Sequence, residues 1–204
     1  MKNTKFLILF VLPVSLALML GFLVSGYISN YINADQKRNV NVSGIALIGG
    51  NFTLTDQRGN TVTEKDLEGH WSIVFFGYTS CPDICPPTLQ NITLALSQLG
   101  QRSNLIVPYF ISVDPWRDNQ EIMAEYSALF HSSLIALWGT PEQIEKVTSA
   151  FKVYYSPKSK PQEEFYNVDH SSLVYLMGPD GSYVLHFSHN TTVEDMAARL
   201  SELL

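Results

Sequence analysis

Cys81 and Cys85 are the only cysteines in this 204-residue chain, and they stand in the stretch Gly77-Tyr78-Thr79-Ser80-Cys81-Pro82-Asp83-Ile84-Cys85-Pro86-Pro87. The apolar run from Trp71 to Phe76 reads as a buried strand that delivers the first thiol to a loop. Leu89, Ile92, Leu96 and Leu99 recur at helical spacing, so a helix is expected to begin just after Cys85 and to end at Gly100. Thiols at i and i+4 around a first helical turn lie on one side of the chain, close enough to share a metal ion or close a disulfide. A helix N-terminus also favours the thiolate, the form that binds metal and attacks disulfides. A disulfide here would close a very short loop and constrain the unfolded chain little, so a purely structural staple explains the pair poorly. Two unrelated core cysteines are the remaining alternative.

His170, in Asp169-His170-Ser171, could approach the thiols if the loop before it folds over the same end of a sheet. Two thiolates and one imidazole form a soft three-coordinate set that suits Cu(I). Zinc would accept the same ligands but normally takes a fourth. His70, His131, His186 and His189 are alternative imidazoles. Asp114 reads either as the start of a turn before Pro115 or as a carboxylate that orients a ligand or a docking partner; Asp169 is a second candidate for that outer role. Met123, Met177 and Met196 have the spacing of core filling rather than of copper ligands.

The elements that must position these groups follow from periodicity. Phe52 to Thr55 and Thr61 to Thr63 alternate around Gln57-Arg58-Gly59-Asn60, the pattern of a hairpin. Leu105 to Val113 reads as a strand with Pro108 at an edge or bulge, Asn119 to Phe130 as a helix and Leu134 to Trp138 as a strand. Thr140-Pro141-Glu142-Gln143 is a capping box opening a helix to about Phe151. Tyr154 to Val168 is a long polar loop. Leu173 to Met177 and Tyr183 to Phe187 flank Gly178-Pro179-Asp180-Gly181 as a second hairpin, and Thr192 caps a last helix. Alternating strands and helices imply an α/β sheet covered on both faces, with ligands at the strand ends that feed helices.

Phe6 to Val24 is uncharged and apolar, and as a helix it would span about 28 Å, close to the hydrocarbon thickness of a bilayer. Lys2 and Lys5 precede it, which puts the short tail in the cytoplasm and the remainder outside. The expected organisation is a tail over 1–5, a transmembrane anchor over 6–28, a polar tether over 29–47 and one folded domain over 48–204. A cleaved signal peptide with Val24-Ser25-Gly26 as its processing site is the competing reading. A net charge of −6 without any basic stripe argues against a nucleic-acid partner. Sequons at Asn41, Asn51, Asn91 and Asn190 carry little weight, because such triplets arise by chance.

Gly77 to Pro86, Ile111-Ser112-Val113-Asp114-Pro115 and Val168-Asp169-His170-Ser171 closely resemble the signature segments of the Sco/SenC family, in order, from about Ile48 to Leu204. Ser80 stands where that family often has histidine, and Trp116 where glutamate is usual. The resemblance implies a thioredoxin-like mixed sheet flanked by helices, with an N-terminal β-hairpin and an N-terminal transmembrane helix. It implies a copper metallochaperone whose ligands are Cys81, Cys85 and His170, held on the periplasmic side of the inner membrane. Its expected partners are the CuA-bearing subunit of cytochrome c oxidase or another copper chaperone, together with thiol reductant proteins. Such a protein needs no enzymatic turnover. The alternative is an extracytoplasmic thiol–disulfide oxidoreductase cycling Cys81 and Cys85, although Cys-x-x-Cys is the usual spacing for that chemistry. A peroxidase is a third option, whose pattern the residues before Cys81 do not match.

Overall fold

The computed structural model describes residues 47–156 and 166–204. The expected tail and anchor, nearly all of the tether and the middle of the loop after Tyr154 lie outside them. Among the described residues no helix is long and apolar enough to cross a membrane.

The strands are β1 (Thr53–Asp56), β2 (Thr61–Thr63), β3 (Trp71–Gly77), β4 (Ile106–Ser112), β5 (Ile135–Trp138), β6 (Leu173–Met177) and β7 (Tyr183–Ser188). They form one sheet in the order β2-β1-β5-β4-β3-β6-β7. The helices are α1 (Cys85–Gln98), α2 (Gln120–Ser127), α3 (Pro141–Phe151) and α4 (Val193–Leu203). Strands β3, β4 and β5 run parallel, while β6 lies antiparallel to β3 and β1 antiparallel to β5. The result is a mixed sheet.

Its central strand explains its own composition. Every residue of β3 after Trp71 is buried, because both faces are covered. Phe75 and Phe76 point to opposite faces, as successive strand residues must. Phe76 meets Phe151 of α3 with ring centroids 5.3 Å apart. Phe75 meets Phe110 at 6.1 Å, and Phe110 meets Tyr126 of α2 at 5.4 Å. At the hairpin of β1 and β2, the Asp56 carboxylate accepts the backbone N–H groups of Arg58 and Asn60, each at 2.8 Å. Gly59 supplies the left-handed residue of that turn, at φ 86°.

Two elements differ from the reading of the sequence. Helix α2 stops at Ser127 rather than Phe130, because Leu129 and Phe130 bond back only three residues, to Tyr126 and Ser127. Pro108 sits in a central strand without a bulge. The β4–β5 ladder starts at Tyr109, so Pro108 lies beyond it, with β3 alone beside it.

The topology gathers three chain segments at one end of the sheet. The C-terminal ends of β3 and β4 lie side by side, with Gly77 opposite Ser112. The start of the antiparallel β6 joins them there, with Val174 opposite Phe75. The cysteine loop, the turn after β4 and the segment carrying His170 therefore share this end.

Candidate metal centre

Cys85 is the first residue of α1 and fully buried; Cys81, in the loop before it, is also buried. Pro86 and Pro87 lack N–H groups, which removes two of the unpaired donors that a helix start normally exposes. Neither cysteine is in a disulfide.

His170 arrives from the other side. The segment 154–156 pairs with 169–171: Ser156 N–H donates to the Asp169 carbonyl at 2.8 Å, and Ser171 N–H donates to the Tyr154 carbonyl at 2.8 Å. The imidazole is wedged edge-on between Tyr78, at 5.8 Å between centroids, and Phe75, at 6.5 Å. Its Nδ1 lies 3.0 Å from the Ser171 carbonyl. A carbonyl can only accept, so Nδ1 carries the proton and the lone pair sits on Nε2. That Nε2 lies 3.5 Å from Cys85 Sγ. The donor atoms of Cys81, Cys85 and His170 all fall within 4.8 Å of one another. Ligands at about 2.0–2.3 Å from a single ion would lie roughly 3.5–4 Å apart around it, so this set closes on a metal with small movements. Among the described residues it is the only such cluster.

The two thiols differ in acidity. The hydrogen bond from Cys85 holds the Cys81 thiol far below the usual range, with the backbone N–H groups of Asp83 and Cys85 adding to the effect against burial. The same bond, and then burial, push the Cys85 thiol up. The pair thus holds one proton in common, and a cation that binds both sulfurs must displace it.

Gly77 makes this geometry possible. A Cβ there would lie 2.5 Å from Cys85 Sγ and 2.8 Å from the Phe110 ring. Gly77→Ala is expected to displace Cys85 and to cost about 1–3 kcal/mol through overpacking. Chemical denaturation and metal titration of the variant would check both effects; wild-type stability and metal binding together would refute this role.

The other candidates are placed elsewhere or act differently. His70 faces the Tyr109 hydroxyl, His131 bonds Ser133, His186 bonds Tyr183 and His189 bonds Ser172. Met123, Met177 and Met196 are buried in the core. Asp169 is exposed and contributes its main-chain carbonyl to the pairing with Ser156. Asp114 is buried and bonded to Arg117 and Tyr166. The sequence reading missed Asp118, which is 2% exposed and hydrogen-bonded to Thr79 and Ser112. Burial raises its carboxyl pKa, and the bonds from Ser112 and Thr79 oppose that rise. Its four-residue spacing from Asp114 was the one local signal.

A family model described as SCO1/SenC matches residues 41–204. The mitochondrial SCO1 homologue of Homo sapiens is 39% identical over 172 residues, which are 83% of this chain and 56% of that protein. The copper-bound structure of Bradyrhizobium japonicum ScoI is 42% identical, with a TM-score of 0.71 over 77% of this chain and 99% of that one. BsSco, described as a member of the Sco family of cytochrome c oxidase assembly proteins with a disulfide switch, is 25% identical, with a TM-score of 0.61 over 76% of this chain and 92% of that one. The chain spans about half the length of the curated relatives it matches, 56% and 46% of the human and Arabidopsis thaliana proteins.

Proposed function

The chain belongs to the SCO1/SenC family, and we propose that it binds copper through Cys81, Cys85 and His170 and serves the assembly of the CuA centre of cytochrome c oxidase. The observation that carries this reading is the convergence of two thiols and the free Nε2 lone pair within 4.8 Å. Thiolate softness favours Cu(I), and the imidazole gives Cu(II) a ligand it prefers. Zinc suits this set less well, since only three protein donors converge and a structural zinc site uses four. The copper-bound Bradyrhizobium relative points the same way.

Copper is cargo in this proposal, and the protein is a carrier rather than an enzyme. Its partner is the CuA-bearing oxidase subunit or another copper chaperone, and thiol reductant proteins keep the pair reduced. The apolar run Phe6 to Val24 would hold the domain at the inner membrane, facing the periplasm.

One observation favours a second activity at the same residues. The lowered pKa of the Cys81 thiol supplies a thiolate at neutral pH, the form that attacks disulfides. Oxidation of the pair to a Cys81–Cys85 disulfide would deliver two electrons and the pair's one proton to a partner disulfide, whose second sulfur leaves as a thiolate that water protonates. That step could prepare the recipient's cysteines for copper.

A cell that makes a CuA oxidase separates the two roles. Deletion of the gene is expected to lower oxidase activity, and added copper to restore part of it. The purified protein is expected to reduce generic disulfides far more slowly than a thioredoxin. Normal oxidase assembly with fast, broad-substrate reduction would overturn the carrier reading in favour of the oxidoreductase.

A further inference from the structure

We infer that the end of β4 and the turn after it, residues 112–118, form a two-armed clamp that sets the distance between the cysteine loop and His170, with Arg117 and Tyr166 as positioning residues for the histidine. This rests on the copper site proposed above and concerns how that site is held.

The first arm grips the cysteine loop. Thr79, two residues before Cys81, donates its N–H at 3.2 Å to one oxygen of Asp118 and its hydroxyl at 2.5 Å to the other. The second arm grips the segment that leads to His170. The Tyr166 hydroxyl donates to one oxygen of Asp114 at 2.5 Å, and Arg117 Nε donates to the other at 2.5 Å. The Arg117 guanidinium lies 3.6 Å from the centroid of the Tyr166 ring and 5.4 Å from that of Tyr78. Tyr78 in turn meets the His170 ring edge-on. Ser112 joins the arms: its hydroxyl donates to Asp118 at 2.5 Å and its oxygen accepts the Asp114 N–H at 3.0 Å.

None of these groups supplies a donor atom to the cluster, yet they tie both ligand-bearing segments to one strand end. The thiols belong to one arm and the imidazole to the other. Cutting one arm should therefore loosen one class of ligand, whereas general weakening of the fold would loosen both. That asymmetry is the signature of a clamp.

Two substitutions each remove a single hydroxyl from the purified full chain, and chelator competition reads copper affinity in both oxidation states. Tyr166→Phe is expected to lower Cu(II) affinity roughly 10–100-fold and shift the thiolate-to-Cu(II) band, with Cu(I) affinity within about threefold of wild type. Arg117→Lys keeps the charge but loses the planar stack, and should give the same selective loss if Tyr166→Phe does not fold. Thr79→Val should lower affinity for both oxidation states. Unchanged Cu(II) affinity in Tyr166→Phe, or equal losses in both states for both arms, would overturn the clamp. A wild-type chain that binds no copper would instead overturn the proposed function. Hydrogen exchange at 168–171 in the metal-free chain then decides the clamp: exchange faster in Tyr166→Phe than in Thr79→Val supports it, and equal exchange refutes it.

Discussion

Oxidation of Cys81 and Cys85 to a disulfide is expected to take copper loading from about one ion per chain to a small residue, the largest effect any single treatment should have on this protein. The two sulfurs are two of the three donors in the cluster, and a disulfide sulfur has no thiolate charge to offer. Loss of even an outer partner costs roughly 10–100-fold in metal affinity, and removal of two ligands at once should exceed that range. Copper analysis after desalting, alongside a thiol titration, would show loading that tracks free thiol. Equal loading of reduced and oxidised protein would remove Cys81 and Cys85 from the site. The acidities add a second signature. Cys81 is driven down and Cys85 up, so near neutral pH the pair carries one proton. Copper uptake should release it, and affinity should rise about tenfold per pH unit, not a hundredfold as two displaced protons would give.

The alternation of strands and helices is legible because each element carries its own period and punctuation. The buried run Trp71 to Phe76 becomes β3 with one more residue, and Thr140 with Gln143 closes a capping box at the start of α3. The cysteines are legible because only two exist and prolines surround them. His170 is a different case. Residue types and spacing leave five histidines open, and it is the family resemblance that singles out one. The structure then brings that one to the thiols through the pairing of 154–156 with 169–171, a contact across the loop that no local pattern encodes. The wiring behind the site was illegible for the same reason. Thr79 and Asp118 are 39 residues apart, and Asp114 and Tyr166 are 52 apart. Each looks like an ordinary turn or surface residue until the sheet places the ends of β3, β4 and β6 together. In the sequence Gly77 is only the first residue of the cysteine stretch, whereas its role is to leave room for the Cys85 sulfur.

His170→Ala carries the second large effect, and it divides by oxidation state. The Nδ1–H of His170 is committed to the Ser171 carbonyl, so the Nε2 lone pair is the donor that the substitution removes. Imidazole is a harder ligand than thiolate, and Cu(II) depends on it more than Cu(I) does. Cu(II) affinity should therefore fall by at least the roughly 10–100-fold that an outer partner commands. Cu(I) binding should fall less, because two thiolates suffice for a soft monovalent ion. The imidazole packs against Phe75 and Tyr78 at the edge of the core, so the variant should fold with a modest loss of stability and still form the Cys81–Cys85 disulfide. Its thiolate-to-Cu(II) band should weaken or shift. A spectrum and affinity identical to wild type would reduce His170 to a loop residue. The remaining imidazoles could not readily replace it: His70, His131, His186 and His189 are each bound to a neighbour away from the thiols. Such a result would leave a site of two thiolates alone, suited to Cu(I) and unable to hold Cu(II).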